Sequence, residues 1–266
     1  LMIELTKLTP GETVYGRELV LARRGPVESL AAWIESDGEG ERICRRMLQG
    51  GEPGETTRLS PLAGAPSQPQ IAGDRLLWTE YEDGRGTVCS TRLGARAEVV
   101  EPLAAFNCGL LAVAVDGGAC HLLVEQWQTR GVMLRLLSQE DDLWQDRGLL
   151  PLRMRFHCRP SLGLRGECMI ACWDAYSGGT YRSHVGLHSG DRWRIASLPH
   201  KSDCKDTLTT VLATPDGHIY AARARDRRVE LPPGLCAFHS ELVVSVSEDG
   251  EGWRDIAHVN IDHAMN

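Results

Sequence analysis

Two kinds of residue recur at matched intervals in this chain, and the repeat they define is the strongest constraint on its fold. Trp33 and Trp78 are 45 residues apart, and so are Cys44 and Cys89. The surrounding segments, SLAAWIESDGEGERICRRML and RLLWTEYEDGRGTVCSTRL, each contain two apolar runs on either side of a glycine-containing turn. Two independent markers with one offset indicate an internal repeat.

The repeat continues through the rest of the chain at slightly longer intervals. Val124 follows Trp78 by 46 residues, and Trp173 follows Val124 by 49. Ala222 follows Trp173 by another 49, which gives a fifth copy with RRVELPPGLCAFH (227–239) as an insertion. Copies of this length predict an architecture built from stacked units.

Each copy has room for four short strands and shows no helical periodicity. In the second copy the strand-like runs are PQIAG, RLLWTEY, TVCSTRL and AEVVEPL, separated by turn residues. Four-stranded units at this spacing are typical of a β-propeller, in which each unit is one blade. Because a small sheet cannot bury both of its faces by itself, we expect Trp33, Trp78 and Trp173 to pack between blades.

We therefore predict an all-β protein with one β-propeller domain over residues 1–266. The five recognisable blades cover about residues 16–62, 63–104, 105–152, 153–200 and 201–262. Residues 1–15 contain MIELTKL, which could complete another blade or clasp the ring. A closed ring of five blades and a part of a larger propeller both stay open at this point.

Composition and charge exclude several classes of function. The formal net charge of −7 and the lack of a long basic run argue against nucleic-acid binding. No apolar run reaches membrane-spanning length, so we expect no membrane partner. The expected location is the cytoplasm, or the exterior if a signal peptide precedes this sequence. We expect no cofactor, and the oligomeric state stays open.

The cysteines favour free thiols over disulfides or a metal site. There are nine, an odd number, and their spacing is scattered. Cys158, Cys168 and Cys172 lie near His157 but lack the close Cys-x-x-Cys spacing of structural zinc sites. We therefore expect no metal.

One segment resembles the Asp-box, or BNR repeat, of sialidase-like propellers. Its pattern is roughly Ser-x-Asp-(Gly)-x-Gly-x-Thr-Trp. The segment SEDGEGW matches it at Ser247, Asp249, Gly250 and Trp253, one residue short and without the Thr. SQEDDLW at 138–144 is a more distant copy. The resemblance implies a sialidase-like propeller in which the Asp and Ser side chains bond to the backbone of their own turn.

The ends of the second strands supply the candidate ligand-binding residues. Because strands alternate in direction within a blade, the turns after these strands share one face with the connections between blades. Carboxylates there could accept hydrogen bonds from sugar hydroxyls, and aromatic rings could stack on a sugar ring. The candidates are Glu80, Tyr81, Trp127, Arg159, Asp174, Tyr176 and Arg223. The alternative is that the aromatic residues are half-buried strand residues and the acids are solvated.

Two functions from different classes remain. The first is a non-catalytic recognition propeller that binds a glycan or a protein partner on this face. The second is a sialidase-like or other carbohydrate-active hydrolase that uses Glu80 and Asp174 as paired carboxylates, ~5–5.5 Å or ~6.5–9.5 Å apart. Sialidases also carry an arginine triad and a Tyr with a Glu partner, but no motif of that family fixes Arg159, Arg223 or Tyr176 in such a role.

Overall fold

The chain folds into β-sheets throughout the part that the structure describes. The structure is a computed structural model that describes residues 15–36, 40–59, 64–93, 101–103, 106–116, 118–140, 143–152, 156–189, 192–230 and 236–261. These residues form five four-stranded antiparallel sheets, and within each sheet every strand pairs with its neighbours in sequence. This is the β-propeller architecture that the repeat predicts. None of the described residues belongs to a helix long and apolar enough to cross a membrane.

The five sheets are numbered here as blades 1 to 5. Blade 1 contains β1 (Tyr15–Arg23), β2 (Glu28–Ser36), β3 (Glu41–Gln49) and β4 (Glu52–Leu59). Blade 2 contains β5 (Ala65–Ala72), β6 (Arg75–Glu82), β7 (Arg85–Arg92) and β8 (Glu101–Pro102). Blade 3 contains β9 (Cys108–Asp116), β10 (Ala119–Gln128), β11 (Gly131–Glu140) and β12 (Leu143–Leu149). Blade 4 contains β13 (His157–Arg165), β14 (Cys168–Ser177), β15 (Thr180–Ser189) and β16 (Arg192–Ser197). Blade 5 contains β17 (Cys204–Ala213), β18 (Ile219–Glu230), β19 (Cys236–Ser247) and β20 (Arg254–Asn260).

Two predicted features fall at least partly outside the described residues. The possible extra strand lies in 1–15, of which the structure describes only residue 15. The fourth strand of the second copy was expected at AEVVEPL (97–103), of which only 101–103 are described. The insertion of the fifth copy lengthens the hairpin of β18 and β19, each of which has 12 residues.

The contacts of the chain divide it into two compact units, Leu1–Gly109 and Leu110–Asn266. We call them unit 1 and unit 2. Unit 1 contains blades 1 and 2, and unit 2 contains blades 4 and 5 together with blade 3 from Leu110 onward. The single domain over residues 1–266 stays a prediction.

The tryptophan markers occupy the same position in blades 1, 2 and 4, as the sequence predicts. In blade 5 the residue at this position is Arg223, one residue after the predicted Ala222. Trp33 lies opposite Cys44 in the pair of β2 and β3, and Trp78 lies opposite Cys89 in the pair of β6 and β7. Trp173 in β14 holds the equivalent position in blade 4. All three indole side chains are buried. The spacing of 45–49 residues is therefore the length of one blade.

In unit 1, Trp78 is buried by packing between blades 1 and 2. Trp78 belongs to a cluster that also contains Ala32, Ile34 and Ile43 of blade 1. In unit 2, Trp173 packs in the same way on leucines of blade 3, including Leu123 and Leu134. Burial of a large aromatic side chain removes 150–250 Å² or so of surface from water, which makes these contacts a main stabilising term of each unit.

Four of the first strands carry the same irregularity. Each shifts its pairing register around one residue whose φ lies between 53° and 56°, which is the left-handed region: Glu18, Gln68, Arg159 and Leu208. Such a bulge adds one residue to the strand and takes it out of the ladder. Its backbone N–H then needs an acceptor from elsewhere. In blades 4 and 5 these acceptors are carboxylates of the candidate site.

The turn SEDGEGW between β19 and β20 makes the local hydrogen bonds expected from its sequence. Asp249 Oδ1 accepts from the backbone N–H groups of residues 251 and 252, both at 2.8 Å, and from the Ser247 hydroxyl at 3.0 Å. Ser247 Oγ accepts from the Gly250 N–H at 2.8 Å, and the Trp253 indole N–H donates to the Gly250 carbonyl at 2.9 Å. These donors lower the pKa of Asp249 to about 2. These local hydrogen bonds stabilise the turn between β19 and β20.

Candidate functional site

The acids at the ends of the second strands are buried, contrary to the reading that they are solvated. Asp174, in β14, has no solvent-exposed surface. Its carboxylate accepts from the Leu208 N–H at 2.8 Å and the Thr209 hydroxyl at 2.9 Å, both in β17 of blade 5. Burial raises the pKa of Asp174, and these hydrogen bonds oppose the shift. The side chain thus holds the bulge of the next blade.

Glu125 of blade 3 binds the bulge of blade 4 in the same way. This buried residue of β10 accepts from the Arg159 N–H at 2.7 Å and from the Leu110 N–H at 3.1 Å. Its Oε2 also accepts from the Trp127 indole N–H at 3.1 Å. Blades 3 and 4 therefore both place a carboxylate at the end of the second strand, where it binds the left-handed bulge residue of the following first strand.

Two more of the predicted residues lie in unit 1. Glu80 in β6 is buried, and its Oε1 accepts from the Trp78 indole N–H at 2.9 Å. Tyr81 follows it and is half-buried. Their roles in ligand binding stay predictions.

Arg223 in β18 is buried inside a charged network of blade 5. Its guanidinium has no exposed surface and donates to Asp255 at 3.0 Å and to the Pro199 carbonyl at 2.7 Å. Arg225, two residues on, is buried beside it and donates to Asp206 at 2.8 Å. Both guanidinium groups are paired with carboxylates of the same blade, although Arg223 Nε has no hydrogen bond to a described residue and lies 3.6 Å from Asp206.

The remaining predicted residues, Trp127, Tyr176 and Arg159, are accessible and lie close together in unit 2. Trp127 is 39% exposed and Tyr176 is 46% exposed. Two further aromatic residues join them: Phe156, which is 53% exposed, and the half-buried Tyr181. We call Trp127, Phe156, Tyr176 and Tyr181 the aromatic ridge.

Backbone pairing links the residues of the ridge. Trp127 pairs with Val132 across the turn of β10 and β11, and Val132 bridges to Phe156. The Phe156 carbonyl accepts from the Tyr176 N–H at 3.1 Å. Tyr176 pairs with Tyr181 across the next hairpin, with the ring centroids 5.1 Å apart. The ridge therefore rests on strands and tight turns, which hold its geometry.

A two-residue glycine turn brings the two tyrosines together. Gly178 and Gly179 have φ values of 61° and 83°, as a type I′ hairpin turn requires. With this turn, residues at 176 and 181 must face each other on the same side of the sheet. The segment YSGGTY could therefore have revealed Tyr181 from the sequence.

Two cations flank the end of the ridge. The Arg159 guanidinium carbon lies 5.8 Å from the centroid of the Tyr181 ring, and the Lys205 ammonium lies 5.3 Å from it. Arg159 also contacts Asp174 at 3.5 Å, and 39% of its side chain is exposed. Both distances are within the range of about 6 Å for cation–π attraction. The ridge thus combines exposed ring faces with two groups that donate hydrogen bonds.

The sequence reasoning missed three of these residues. Phe156 lies in the connection between blades 3 and 4 and Lys205 lies near the start of β17, and neither carries a pattern that marks it. Tyr181 was identifiable from the glycine turn. Among the described residues, no group of three or more His, Cys, Asp or Glu side chains is placed to hold a metal ion.

Comparison with known proteins gives likenesses of structure and none of sequence. No family model matches the chain. No curated protein matches it either. A solved protein of unknown function from Dyadobacter fermentans DSM 18053 has a TM-score of 0.58 and 9% identity, over 94% of this chain and 95% of that one. A subtype N10 neuraminidase-like protein of A/little yellow-shouldered bat/Guatemala/060/2010 has a TM-score of 0.55 and 11% identity, over 95% and 83%. At these identities the likeness shows the fold alone.

Proposed function

We propose that the protein is a non-catalytic recognition module that binds a carbohydrate on the aromatic ridge of unit 2. The observation that carries this proposal is a set of four aromatic residues on linked strands, three of them well exposed, with Arg159 and Lys205 beside the Tyr181 ring. Large exposed aromatic side chains at adjacent positions are uncommon on a protein surface unless they meet a ligand or a partner.

The chemistry of the ridge suits a sugar chain. The C–H face of a pyranose ring stacks on an aromatic face, and successive rings on the ridge can take successive sugar units. The exposed guanidinium of Arg159 and the ammonium of Lys205 donate hydrogen bonds to hydroxyl or carboxylate oxygens. Aromatic platforms with a few polar groups are a common form of small-molecule site.

The burial of the acids favours binding over hydrolysis. A glycosidase needs two carboxyl groups that reach the glycosidic bond and its water or nucleophile position. Asp174 has no exposed surface, and its oxygens already accept from Leu208 and Thr209. Glu80 is buried against Trp78. The alternative function, a carbohydrate-active hydrolase with Glu80 and Asp174 as its acid and nucleophile or base, therefore has less support.

A glycan array followed by calorimetry tests the proposal. The best oligosaccharide from the array is titrated into the wild-type protein and into Trp127→Ala and Tyr176→Ala. Each substitution removes a stacking surface, so we expect at least a tenfold loss of affinity. Leu143→Ala, which removes a still more exposed apolar side chain from β12, is the control and should bind as the wild type does.

The contrary outcomes are distinct. Absence of binding to any glycan, or equal binding by Tyr176→Ala and the wild type, contradicts the proposal. Turnover of chromogenic glycosides that disappears in Asp174→Asn or Glu80→Gln would favour the hydrolase.

A further inference from the structure

The charged groups beside the aromatic ridge are opposite in sign to the chain as a whole. The formal net charge of the chain is −7. Both charged groups that the structure places against the Tyr181 ring are nevertheless cations, Arg159 at 5.8 Å and Lys205 at 5.3 Å from the ring centroid. A third exposed cation, Arg130, lies in the turn three residues after Trp127. The ridge therefore presents positive charge beside its rings.

Backbone contacts of unit 2 hold the two cations beside Tyr181. Arg159 is the bulge residue of β13, and its backbone N–H donates to Glu125 of blade 3 at 2.7 Å. The residue before Lys205 accepts at its carbonyl from the Thr180 hydroxyl at 3.0 Å, and Tyr181 follows Thr180 directly. The starts of β15 and β17 are thus tied together at the tyrosine. A ligand meets Arg159 and Lys205 at positions that the fold has already set, which lowers the cost of binding.

Arg159 has hydrogen-bonding capacity that its own chain does not use. One N–H of its guanidinium faces Asp174 at the long distance of 3.5 Å. The Asp174 oxygens also accept from two groups of β17, and no other described residue accepts from the guanidinium. The Arg159 side chain is 39% exposed, so a ligand can reach its remaining N–H groups.

Lys205 is also exposed, and it forms no ion pair within the part of the chain that the structure describes. The acid opposite it in the pair of β17 and β18 is Asp226. The Asp226 carboxylate accepts instead from the Ser240 hydroxyl at 2.7 Å. The Lys205 ammonium therefore keeps its donors for an incoming group. Two accessible cations beside one ring favour an anionic ligand group over a neutral one.

A carboxylate is the group that suits these two cations. Arginine can bind a carboxylate through two parallel N–H groups, and such charge-assisted hydrogen bonds are roughly twice as strong as bonds between neutral groups. In a uronic acid the carboxylate lies at the edge of the pyranose ring. The sugar face can therefore stack on the exposed Tyr176 ring while the carboxylate reaches the cations beside Tyr181, whose ring centroid is 5.1 Å away.

We propose that the ligand of the aromatic ridge is an acidic oligosaccharide that contains a uronic acid, whose carboxylate is bound by Arg159 and Lys205. This inference rests on the proposed function, because it names the class of sugar that the same ridge binds. The two cations determine specificity, since they select the charged sugar unit. The aromatic rings supply stacking, which acidic and neutral sugars share.

Matched pairs of ligands test the class of sugar. A glycan array carries oligosaccharides of galacturonate, glucuronate and mannuronate, the methyl esters of the same chains, and neutral, sialylated and sulfated glycans. We expect the bound glycans to contain uronic acids. In calorimetry, methyl esterification of the best ligand, which removes the charge and keeps the ring, should weaken binding at least tenfold. Because salt screens charges, higher ionic strength should weaken binding of the acid and leave binding of the ester unchanged.

Substitution of the cations tests the location. Lys205→Gln should lose at least threefold in affinity for the acid and bind the methyl ester as the wild type does, while Lys205→Arg should keep the affinity for both. In the double variant with Arg159→Gln, the preference for acid over ester should fall toward one. Arg192→Gln is the matched control and should bind both ligands normally. Arg192 is an exposed cation of β16 that pairs with Ser189, at the opposite end of β15 from Tyr181.

The outcomes separate this inference from the proposed function. Equal affinity for acid and ester, binding confined to neutral, sialylated or sulfated glycans, or an unchanged preference in the double variant would overturn the uronic acid and leave carbohydrate recognition by the ridge intact. Absence of binding to every glycan would overturn both. Loss of the acid preference in Arg192→Gln to the same extent would overturn the assignment of Arg159 and Lys205.

Discussion

Blades 4 and 5 carry different side chains at equivalent positions of the second strand. Trp173 and Arg223 each lie opposite the left-handed bulge of their first strand, and Ala175 and Arg225 follow two residues later. In blade 4 the Trp173 indole is buried against leucines of blade 3. In blade 5 both positions hold buried arginines, which pair with Asp206 of the first strand and Asp255 of the fourth. The repeat therefore conserves backbone geometry and not the chemistry of the side chains.

This difference explains why equivalent positions are a poor guide to a binding site. A ring of second-strand ends suggested one shared ligand face. The structure instead uses Asp174 and Arg223 to hold the fold, each with a different set of partners. Among the predicted residues, Trp127, Tyr176 and Arg159 are accessible and Tyr81 is half-buried.

The largest expected effect comes from breaking the charge network of blade 5. Asp206 is buried and faces Arg225 at 2.8 Å and Arg223 at 3.6 Å. Asp206→Asn leaves two buried guanidinium groups short of one counter-charge. We expect it to lower the free energy of unfolding by about 3–5 kcal/mol in urea denaturation. Lys205→Gln, at the exposed neighbouring position, should change it by less than about 0.5 kcal/mol. A loss below about 1 kcal/mol for Asp206→Asn would show that the network is not stabilising.

Removal of the carboxylate of blade 4 should have a smaller effect. Asp174→Ala leaves the Leu208 N–H and the Thr209 hydroxyl without their acceptor. We expect a loss of about 2–3 kcal/mol in the free energy of unfolding. Because the pKa of Asp174 is raised in the folded state, its contribution is full below the unfolded value of 3.8 and declines as pH rises through the folded value.

The loss caused by Asp174→Ala should therefore be greater at pH 4 than at pH 7. Urea denaturation of both proteins at the two pH values measures this. A loss that grows with pH would contradict the assignment of burial as the dominant influence on this carboxyl group.

A third contrast lies at the centre of the two blades, where His184 pairs with Trp173 and Val243 pairs with Arg223. Burial lowers the pKa of His184 from 6.5 to about 4, so the neutral imidazole of the folded state resists protonation. The unfolded chain binds the proton first, and stability falls as pH drops from 6.5 toward 4. We expect His184→Val, which copies blade 5, to remove about 1–2 kcal/mol of the stability change between pH 6.5 and 5. An unchanged pH profile in urea denaturation would contradict this.

The smallest expected change in stability is at the aromatic ridge. Tyr176 is exposed, whereas Arg225, near the corresponding end of the second strand in blade 5, is buried. Tyr176→Ala should therefore change the free energy of unfolding by less than about 0.5 kcal/mol. Thermal denaturation measures this, with Arg225→Ala as the destabilised counterpart. Equal destabilisation by the two substitutions would mean that Tyr176 belongs to the core.

The fold was predictable because its markers are large buried side chains at a fixed interval. Trp33, Trp78 and Trp173 recur on the second strand of three blades, and Trp78 and Trp173 bury that face against the neighbouring blade. The bulges were not predictable, because Gln68, Arg159 and Leu208 share no side-chain chemistry and only their φ values are alike.

The bulges, which the sequence does not reveal, explain why two acids of the candidate site are buried. Asp174 and Glu125 look like free acids in the sequence, and only the bulge N–H groups explain their burial. Trp127 and Tyr176 were recognised because aromatic residues at strand ends are visible in the sequence. Phe156 and Lys205 join the ridge through contacts between blades, which no local pattern encodes.

The most direct test separates fold from recognition in one pair of variants. Asp174→Ala and Tyr176→Ala are compared for thermal stability and for affinity toward the array-selected oligosaccharide, at a temperature where both remain folded. We expect Asp174→Ala to lose stability and keep its affinity, and Tyr176→Ala to keep stability and lose affinity at least tenfold. Loss of affinity in Asp174→Ala with full binding by Tyr176→Ala would contradict the account.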